Sequence, residues 1–216
     1  MTRQVFGPIL ALLFCAVPAY AASVSVAVSD TNGRPAFQAV VVLVADSTGV
    51  LPASRVPAEA IIDQRHETFI PLVSLIRKGG RAIFTNNDTT MHQVYSFSPI
   101  KQFEFEIDQG QRSEPVVFDK AGVASIGCNI HDQMITYVYV ADSPFAALTD
   151  AGGHAQFADV PAGAYHVDVW HPQLMPGKPA PSQALVVSAA SVTLAVQLPL
   201  LVAPMSGMKH MHMGNY

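Results

Sequence analysis

The amino-acid sequence predicts an all-β protein, built as a sandwich or a barrel. No stretch has a sustained 3.6-residue period of apolar side chains with capping residues, which would indicate a helix. Residues 24–29 instead alternate apolar and polar side chains in period 2, as a half-buried strand does. Clusters of Gly, Asn, Asp and Pro interrupt the chain at short intervals, and such turn formers are typical of many short strands.

The strand pattern begins at residues 24–29, turns at 30–33 and continues in the β-branched run 39–45, and we expect these two strands to pair. Further strands are predicted at residues 68–76, 81–85, 93–97, 103–107, 115–118, 123–126, 135–140, 155–157, 165–170, 184–187 and 192–198. Turn formers separate them at residues 78–80, 86–88, 108–110, 120–122, 150–153 and 161–163.

Residues 1–22 have the features of a secretory signal peptide. Arg3 supplies the positive charge, residues 9–17 form a short apolar stretch, and small residues end at Ala21 and Ala22. The apolar stretch falls well short of the roughly 20 residues that a membrane span needs. We therefore expect cleavage near Ala21 or Ala22, a periplasmic location and no membrane span in the mature form.

The number of cysteines and the net charge limit the functions that this chain can have. The chain has two cysteines, and Cys15 lies in the predicted signal peptide, so the mature protein keeps Cys128 as its only thiol. A lone thiol in an oxidising compartment is either buried and inert or held as a thiolate by a metal. The net charge is −4 and no basic patch occurs, so we expect no nucleic-acid partner.

A metal-ligand pattern starts at Cys128. Cys128, His131 and Met134 follow one another at C-x2-H-x2-M spacing, so one short loop could bring a thiolate, an imidazole and a thioether around one point. A second imidazole is available from His92, after the predicted strand 81–85 and the turn 86–88. Two imidazoles and a thiolate with a weak thioether ligand form the type 1, or blue-copper, electron-transfer site.

The surroundings of these residues resemble the cupredoxin family. The resemblance extends over much of residues 57–142 and includes the motifs Phe69-Ile70-Pro71, Lys78-Gly79-Gly80-Arg81, Phe84-x-Asn86-x-Asp88-x-x-x-His92 and Phe118-x-x-x-Gly122. The ligand loop has the length seen in amicyanin, and residues 92–99 look like bacterial proteins described as methylamine-utilisation or plastocyanin-like. The resemblance implies a Greek-key sandwich and one copper ion held by His92, Cys128, His131 and Met134.

Two positions depart from the family. Small blue-copper carriers usually have Asn after the first ligand histidine and Pro before the second, where this chain has Gln93 and Ile130. The Asn side chain ties the two ligand loops together in the family, so Gln93, Asn86 or Asn129 must supply that bond, or it is missing. A degenerate site without metal, and a zinc site, are the alternatives to copper.

The flanks resemble a second family. Residues 24–44 carry a strand, Asp30-x-x-Gly33-x-Pro35 and an apolar strand, and residues 149–167 carry the later half of a similar scheme. Together they resemble the carboxypeptidase regulatory, or transthyretin-like, sandwich. We therefore predict that residues 23–56 and 143–202 form one discontinuous sandwich, with residues 57–142 inserted in one of its loops. Two sandwiches in series are the alternative.

These features predict a periplasmic one-electron carrier rather than an enzyme. Four protein ligands leave no good open position for a substrate, and no persuasive pair of nucleophile and base occurs in the sequence. The resemblance implies electron entry through the edge of His131, within an apolar ring that could include Ile130 and Pro99. The expected partner is a redox protein such as a c-type cytochrome or a periplasmic oxidoreductase.

The C-terminal residues 203–216 favour a competing function in copper handling. Four methionines and two histidines lie within residues 205–213, and such soft ligands suit Cu(I) on a flexible arm that stores or delivers copper. A disordered end without a role is the simpler interpretation. A third class is an adhesion or scaffold protein with a vestigial site. We interpret His66, His154, His166 and His171 as structural or surface residues.

Overall fold

The computed structural model describes residues 21–47, 49, 51–175, 181–188 and 190–201, and these residues fold as an all-β protein. The strands are β1 Ala21–Asp30, β2 Val40–Ala45, β3 Glu59–Gln64, β4 Phe69–Ile70, β5 Val73–Arg77, β6 Gly80–Asn86, β7 His92–Ser98, β8 Lys101–Ile107, β9 Val116–Phe118, β10 Gly122–Cys128, β11 His131–Ala141, β12 Phe145–Leu148, β13 His154–Pro161, β14 Gly163–Trp170, β15 Ser182–Val187 and β16 Val192–Leu198. In the described part there is no helix of the length and apolar character that a membrane span requires. The predicted signal sequence up to residue 20 and the Met/His-rich tail lie outside the described residues.

The strands form four sheets. Strand orders β13-β1-β16 and β12-β2-β14-β15 make the two faces of one sandwich, called here the flanking sandwich. Strand orders β5-β11-β10-β7-β8 and β4-β3-β6-β9 make the central sandwich from residues 59–141. Each pair of sheets encloses its own apolar cluster.

The expected pairing of the first two strands is wrong. β1 pairs with β13 and β16, whereas β2 pairs with β12 and β14 in the facing sheet. Only an isolated bridge, between Ser29 and Pro35, follows the turn before the chain crosses to the other sheet. Val26 of β1 and Leu43 of β2 both face the same core, which is the arrangement of strands in opposite sheets.

β2 is buried on both faces, which explains its unbroken β-branched run. Val41 and Leu43 face the core of the flanking sandwich, while Val40 and Val42 join a third apolar cluster with Val73, Leu75 and Ala141 of the central sandwich. Trp170 packs against Tyr137 and Tyr139 in the same region, with ring centroids 5.5 and 5.8 Å away. The flanking sandwich therefore supports the outer side of β5 and β11, and β11 begins at His131.

Two features of the central sandwich differ from the expected strands. The strand expected at residues 68–76 is interrupted at Pro71 and Leu72 and becomes β4 and β5. β3, Glu59–Gln64, was not predicted. Ile62 is its sole fully buried apolar side chain, and its last buried residue is the polar Gln64. Parallel pairing of β3 with β6 brings the β3–β4 turn beside the loop that precedes His92. β12 is likewise an unpredicted strand.

Candidate metal site

Three of the four predicted ligands meet at one end of the central sandwich. Cys128 is the last residue of β10, and His131 is the first residue of β11, with a two-residue turn between them. His92 is the first residue of β7, which lies next to β10 with Val94 opposite Cys128. Strand pairing thus brings His92 to the Cys128–His131 turn although it lies 36 residues earlier in the chain.

The donor atoms lie close together. One ligand atom each from His92, Cys128 and His131 can be chosen so that all three lie within 4.8 Å of one another. The His92 Nδ1 atom is 3.5 Å from the Cys128 Sγ atom, and the two imidazole centroids are 5.2 Å apart. The His92 and Cys128 side chains are buried, whereas 20% of the His131 side chain is exposed. The arrangement is a compact S, N, N donor set with one solvent-facing edge.

One nitrogen of the His131 imidazole is buried without a hydrogen-bond partner. That nitrogen is the Nδ1 atom. Leaving such a group unpaired costs about 1–3 kcal/mol, so native structures seldom keep one without a reason. A metal ligated by Nδ1 would satisfy it. A thiolate with two imidazoles also suits copper, so the residues present fit that ion.

Met134, the fourth predicted ligand, lies on β11 with 2% of its surface exposed. It belongs to the same apolar cluster as Cys128. Its thioether is thus kept from water on the inner face of the strand that begins at His131. The role of Met134 as a metal ligand stays a prediction.

Asp88 holds the far side of the His92 ring. The Asp88 Oδ2 atom is 2.9 Å from the His92 Nε2 atom, and its carboxylate also accepts the backbone N–H groups of His66 and Glu67. Partial burial works to raise the pKa of Asp88, but the hydrogen bonds from Glu67, His92 and His66 outweigh it and hold the pKa below its usual value. An ionised Asp88 accepts a hydrogen bond from the His92 Nε2–H group and leaves the Nδ1 lone pair facing Cys128.

Gln93 and Asn129 together supply the bond between the two ligand loops. The Asn129 side-chain amide donates to the Gln93 Oε1 atom at 2.8 Å, and the Asn129 backbone N–H donates to the Gln93 carbonyl at 3.0 Å. Asn86 does not make this bond. Its side-chain amide donates to the carbonyls of Thr90 and Ile107 and so holds the loop before His92.

The apolar surroundings of His131 differ in part from the expectation. Ile130 is 46% exposed beside His131. Pro99 instead follows the end of β7 that is opposite His92. The strand from His92 to Ser98 has six steps of about 3.3 Å each and is therefore about 20 Å long. Pro99 therefore cannot belong to the edge around His131.

The other histidines among the described residues take no part in this donor group. His166 pairs with Asp46 at 2.9 Å, and the Nε2 atom of the buried His171 lies 3.2 Å from the Phe37 carbonyl oxygen. Burial lowers the pKa of His171, although the contact with the Phe37 carbonyl opposes this. His66 is exposed, yet its backbone N–H binds Asp88, so it contributes to the site through its main chain.

Sequence reasoning missed the two carboxylates around the ligands. The side chain of Glu67 comes within 3.5 Å of the His131 Nε2 atom, and Asp88 contacts His92 as described. The sequence did contain a signal for Asp88. It lies four residues before His92, and a carboxylate at that separation can reach back to the histidine ring. No signal was available for Glu67, because β3 and its turn were not predicted.

Comparisons with known proteins find similarity in structure alone. No family model matches the chain, and no curated protein matches its sequence. A purple cupredoxin from Nitrosopumilus maritimus is 24% identical, with a TM-score of 0.35, and the match covers 38% of this chain and 99% of that one. Amicyanin from Paracoccus versutus is 20% identical, with a TM-score of 0.35 and coverage of 46% and 97%. A copper-containing nitrite reductase from Thermus scotoductus SA-01 is 20% identical, with a TM-score of 0.36 and coverage of 44% and 25%.

Proposed function

We propose that this chain holds one type 1 copper ion with His92, Cys128, His131 and Met134 and carries single electrons between redox partners. The observation that carries the proposal is the group of one thiol and two imidazoles whose ligand atoms lie within 4.8 Å of one another, with His92 and Cys128 buried. Bound copper would supply the couple between Cu(I) and Cu(II), which takes up and releases one electron. The unpaired Nδ1 atom of His131 supports a ligand at this place.

The protein's part in electron transfer is to hold the donors still. Cys128 and His131 lie at the ends of paired strands, and the Gln93–Asn129 bond joins their turn to the strand of His92. Ligands fixed by strands and hydrogen bonds move little when the charge at the site changes. Four protein donors also leave no free position for a substrate, so we propose a carrier rather than an enzyme.

Electron exchange is proposed to use the exposed edge of His131. Its ring is the ligand imidazole with solvent access, and Ile130 next to it offers an apolar contact. The proposed partner is a c-type cytochrome or a periplasmic oxidoreductase, which requires export of the chain by the signal peptide. We expect Ile130→Glu to slow transfer to such a cytochrome, whereas Phe97→Glu, a matched change on β7 away from His92, should not. Equal rates in the two variants would contradict this docking face.

The domain organisation is part of the proposal. We infer that residues 57–142 form a cupredoxin domain inserted in a transthyretin-like scaffold made of residues 23–56 and 143–202. Strand pairing supports this, because β1 and β2 precede the central sandwich and pair with β12, β13, β14 and β16, which follow it.

Copper storage or delivery is the second candidate function. It is favoured by the four methionines and two histidines of residues 205–213, which suit Cu(I). A carrier binds one copper per chain and titrates reversibly with one electron. A handling protein instead binds several Cu(I) ions, and deletion of residues 204–216 lowers that number and slows loading. Copper stoichiometry and redox titration of the full chain and the deletion variant therefore separate the two functions.

A further inference from the structure

The turn between β3 and β4 has an unfavourable backbone conformation. His66 and Glu67 are its two central residues, with φ angles of +53° and +52°, and Arg65 and Thr68 exchange backbone hydrogen bonds across it. Two-residue hairpins of this kind strongly prefer Asn-Gly, because Gly has no Cβ atom and Asn tolerates positive φ better than most other residues. The chain nevertheless has His and Glu at these positions.

Asp88 compensates for this conformation and connects the turn to His92. Both central backbone N–H groups donate to the Asp88 carboxylate, and its Oδ2 atom is 2.9 Å from the His92 Nε2 atom. An ionised carboxylate can only accept hydrogen bonds, so the His92 imidazole donates to it from Nε2. Its Nδ1 lone pair then faces the Cys128 sulfur 3.5 Å away.

The same turn also reaches the second imidazole. The Glu67 Oε1 atom is 3.5 Å from the His131 Nε2 atom, while the His131 Nδ1 atom is buried. Glu67 lies in the turn and Asp88 binds the turn, so each of them places a carboxylate near the Nε2 atom of one imidazole. The Asp88 side chain is 12% exposed and that of Glu67 is 56% exposed, so water screens Glu67 more strongly.

We propose that the His66–Glu67 turn and Asp88 form a carboxylate clamp that fixes the orientation and the proton of His92, places a second carboxylate near His131 and lowers the reduction potential of the site. The clamp rests on the proposed copper function. Its sign follows from charge, because nearby carboxylates stabilise Cu(II) more than Cu(I). Asp88 and Glu67 are positioning residues in this proposal, since they act through His92 and His131.

The main test is the reduction potential of the Asp88→Asn variant of the copper-loaded protein. Loss of such a partner commonly weakens metal binding at least tenfold. If Cu(II) loses tenfold relative to Cu(I), the potential rises by about 59 mV for one electron. Glu67→Gln should raise it less. Asp119→Asn removes an exposed charge beyond β9, at the opposite end of β10 from Cys128, and should leave it unchanged.

A double variant separates the turn from the charge. His66→Asn with Glu67→Gly provides the residues that the turn prefers and keeps the backbone bonds to Asp88, so it should unfold at higher denaturant concentration than the parent. Its potential should match that of Glu67→Gln. A parent that titrates reversibly while Asp88→Asn keeps the parent's potential would overturn the clamp and leave the copper function standing.

A metal-free measurement tests the clamp even if the copper function fails. Long-range ¹H–¹⁵N spectra of the apo protein should show His92 as the Nε2–H tautomer, and Asp88→Asn should weaken that preference. A parent His92 protonated at Nδ1 alone would contradict the clamp, whatever the metal content of the protein.

Discussion

The two sandwiches differ in what they bury. The core of the flanking sandwich consists of apolar side chains and Tyr165, and among the residues described there the buried polar ones are Thr149 and His171. The core of the central sandwich includes Cys128 and Met134, and its strands and loops bury seven polar residues: Gln64, Ser74, Asn86, His92, Ser96, Ser113 and Thr136. The flanking sandwich therefore buries few polar residues, while the central sandwich buries several.

Hydrogen bonding shows the same contrast. In the flanking sandwich Thr149 donates to the Ala36 carbonyl and accepts the Ala39 N–H, so its buried hydroxyl is satisfied. The unpartnered buried side-chain atoms among the described residues, Gln64 Oε1, Ser74 Oγ and His131 Nδ1, all belong to the central sandwich. Of these atoms His131 Nδ1 belongs to the donor group, where a ligand would satisfy it, and we expect the flanking sandwich to serve as the scaffold of that site.

Core truncations should separate stability from metal binding. Phe84 is fully buried in the central sandwich and contacts Phe69, Phe103 and Phe105. We expect Phe84→Ala to lower the free energy of unfolding by about 3–5 kcal/mol and to impair copper retention. Leu43→Ala in the flanking core should cost about 2–5 kcal/mol and leave the copper spectrum of the folded protein unchanged. Urea unfolding and visible spectra check both, and an altered spectrum in Leu43→Ala would contradict the scaffold role.

Copper should stabilise the two sandwiches unequally. A ligand that binds the native state at a concentration about 1,000 times its Kd adds about 4 kcal/mol. We expect this gain at the amides of β7, β10 and β11, measured by native-state hydrogen exchange with and without copper. The amides of β1, β13 and β16 serve as the internal control. Equal gains in both groups would show that the sandwiches unfold together and would remove the distinction.

The smallest expected effect is a pH dependence in the flanking sandwich. The hydrogen bond with Asp46 raises the pKa of His166 above its usual 6.5, against the effect of partial burial, and Asp168 adds to the increase. The stabilisation is therefore complete below about pH 6.5 and is lost as the pH rises through the raised pKa. Because the pair is partly exposed, we expect less than about 1 kcal/mol. Urea unfolding of the parent and Asp46→Asn between pH 5 and 9 measures it, and identical pH profiles would contradict the pair.

Local patterns predicted the parts of the structure that depend on nearby residues. Cys128 and His131 are joined by a two-residue turn, so their proximity follows from spacing, and the all-β fold follows from period and turns. The pairing of β1 was not predictable in this way, because alternation shows which side chains are buried but not which sheet contains the strand. Glu67 was missed because His66 and Glu67 lack the residues of a hairpin turn, and Asp88 stabilises that turn from a distant part of the sequence.

The most direct test of the metal site is the visible absorption spectrum of the Cu(II)-loaded protein, compared with Cys128→Ser. The proposed site predicts an intense thiolate-to-copper band in the parent and in the Asp119→Asn control, and its loss in Cys128→Ser. A parent that binds copper without this band, or a band that survives in Cys128→Ser, would contradict the claim that His92, Cys128 and His131 hold one copper ion.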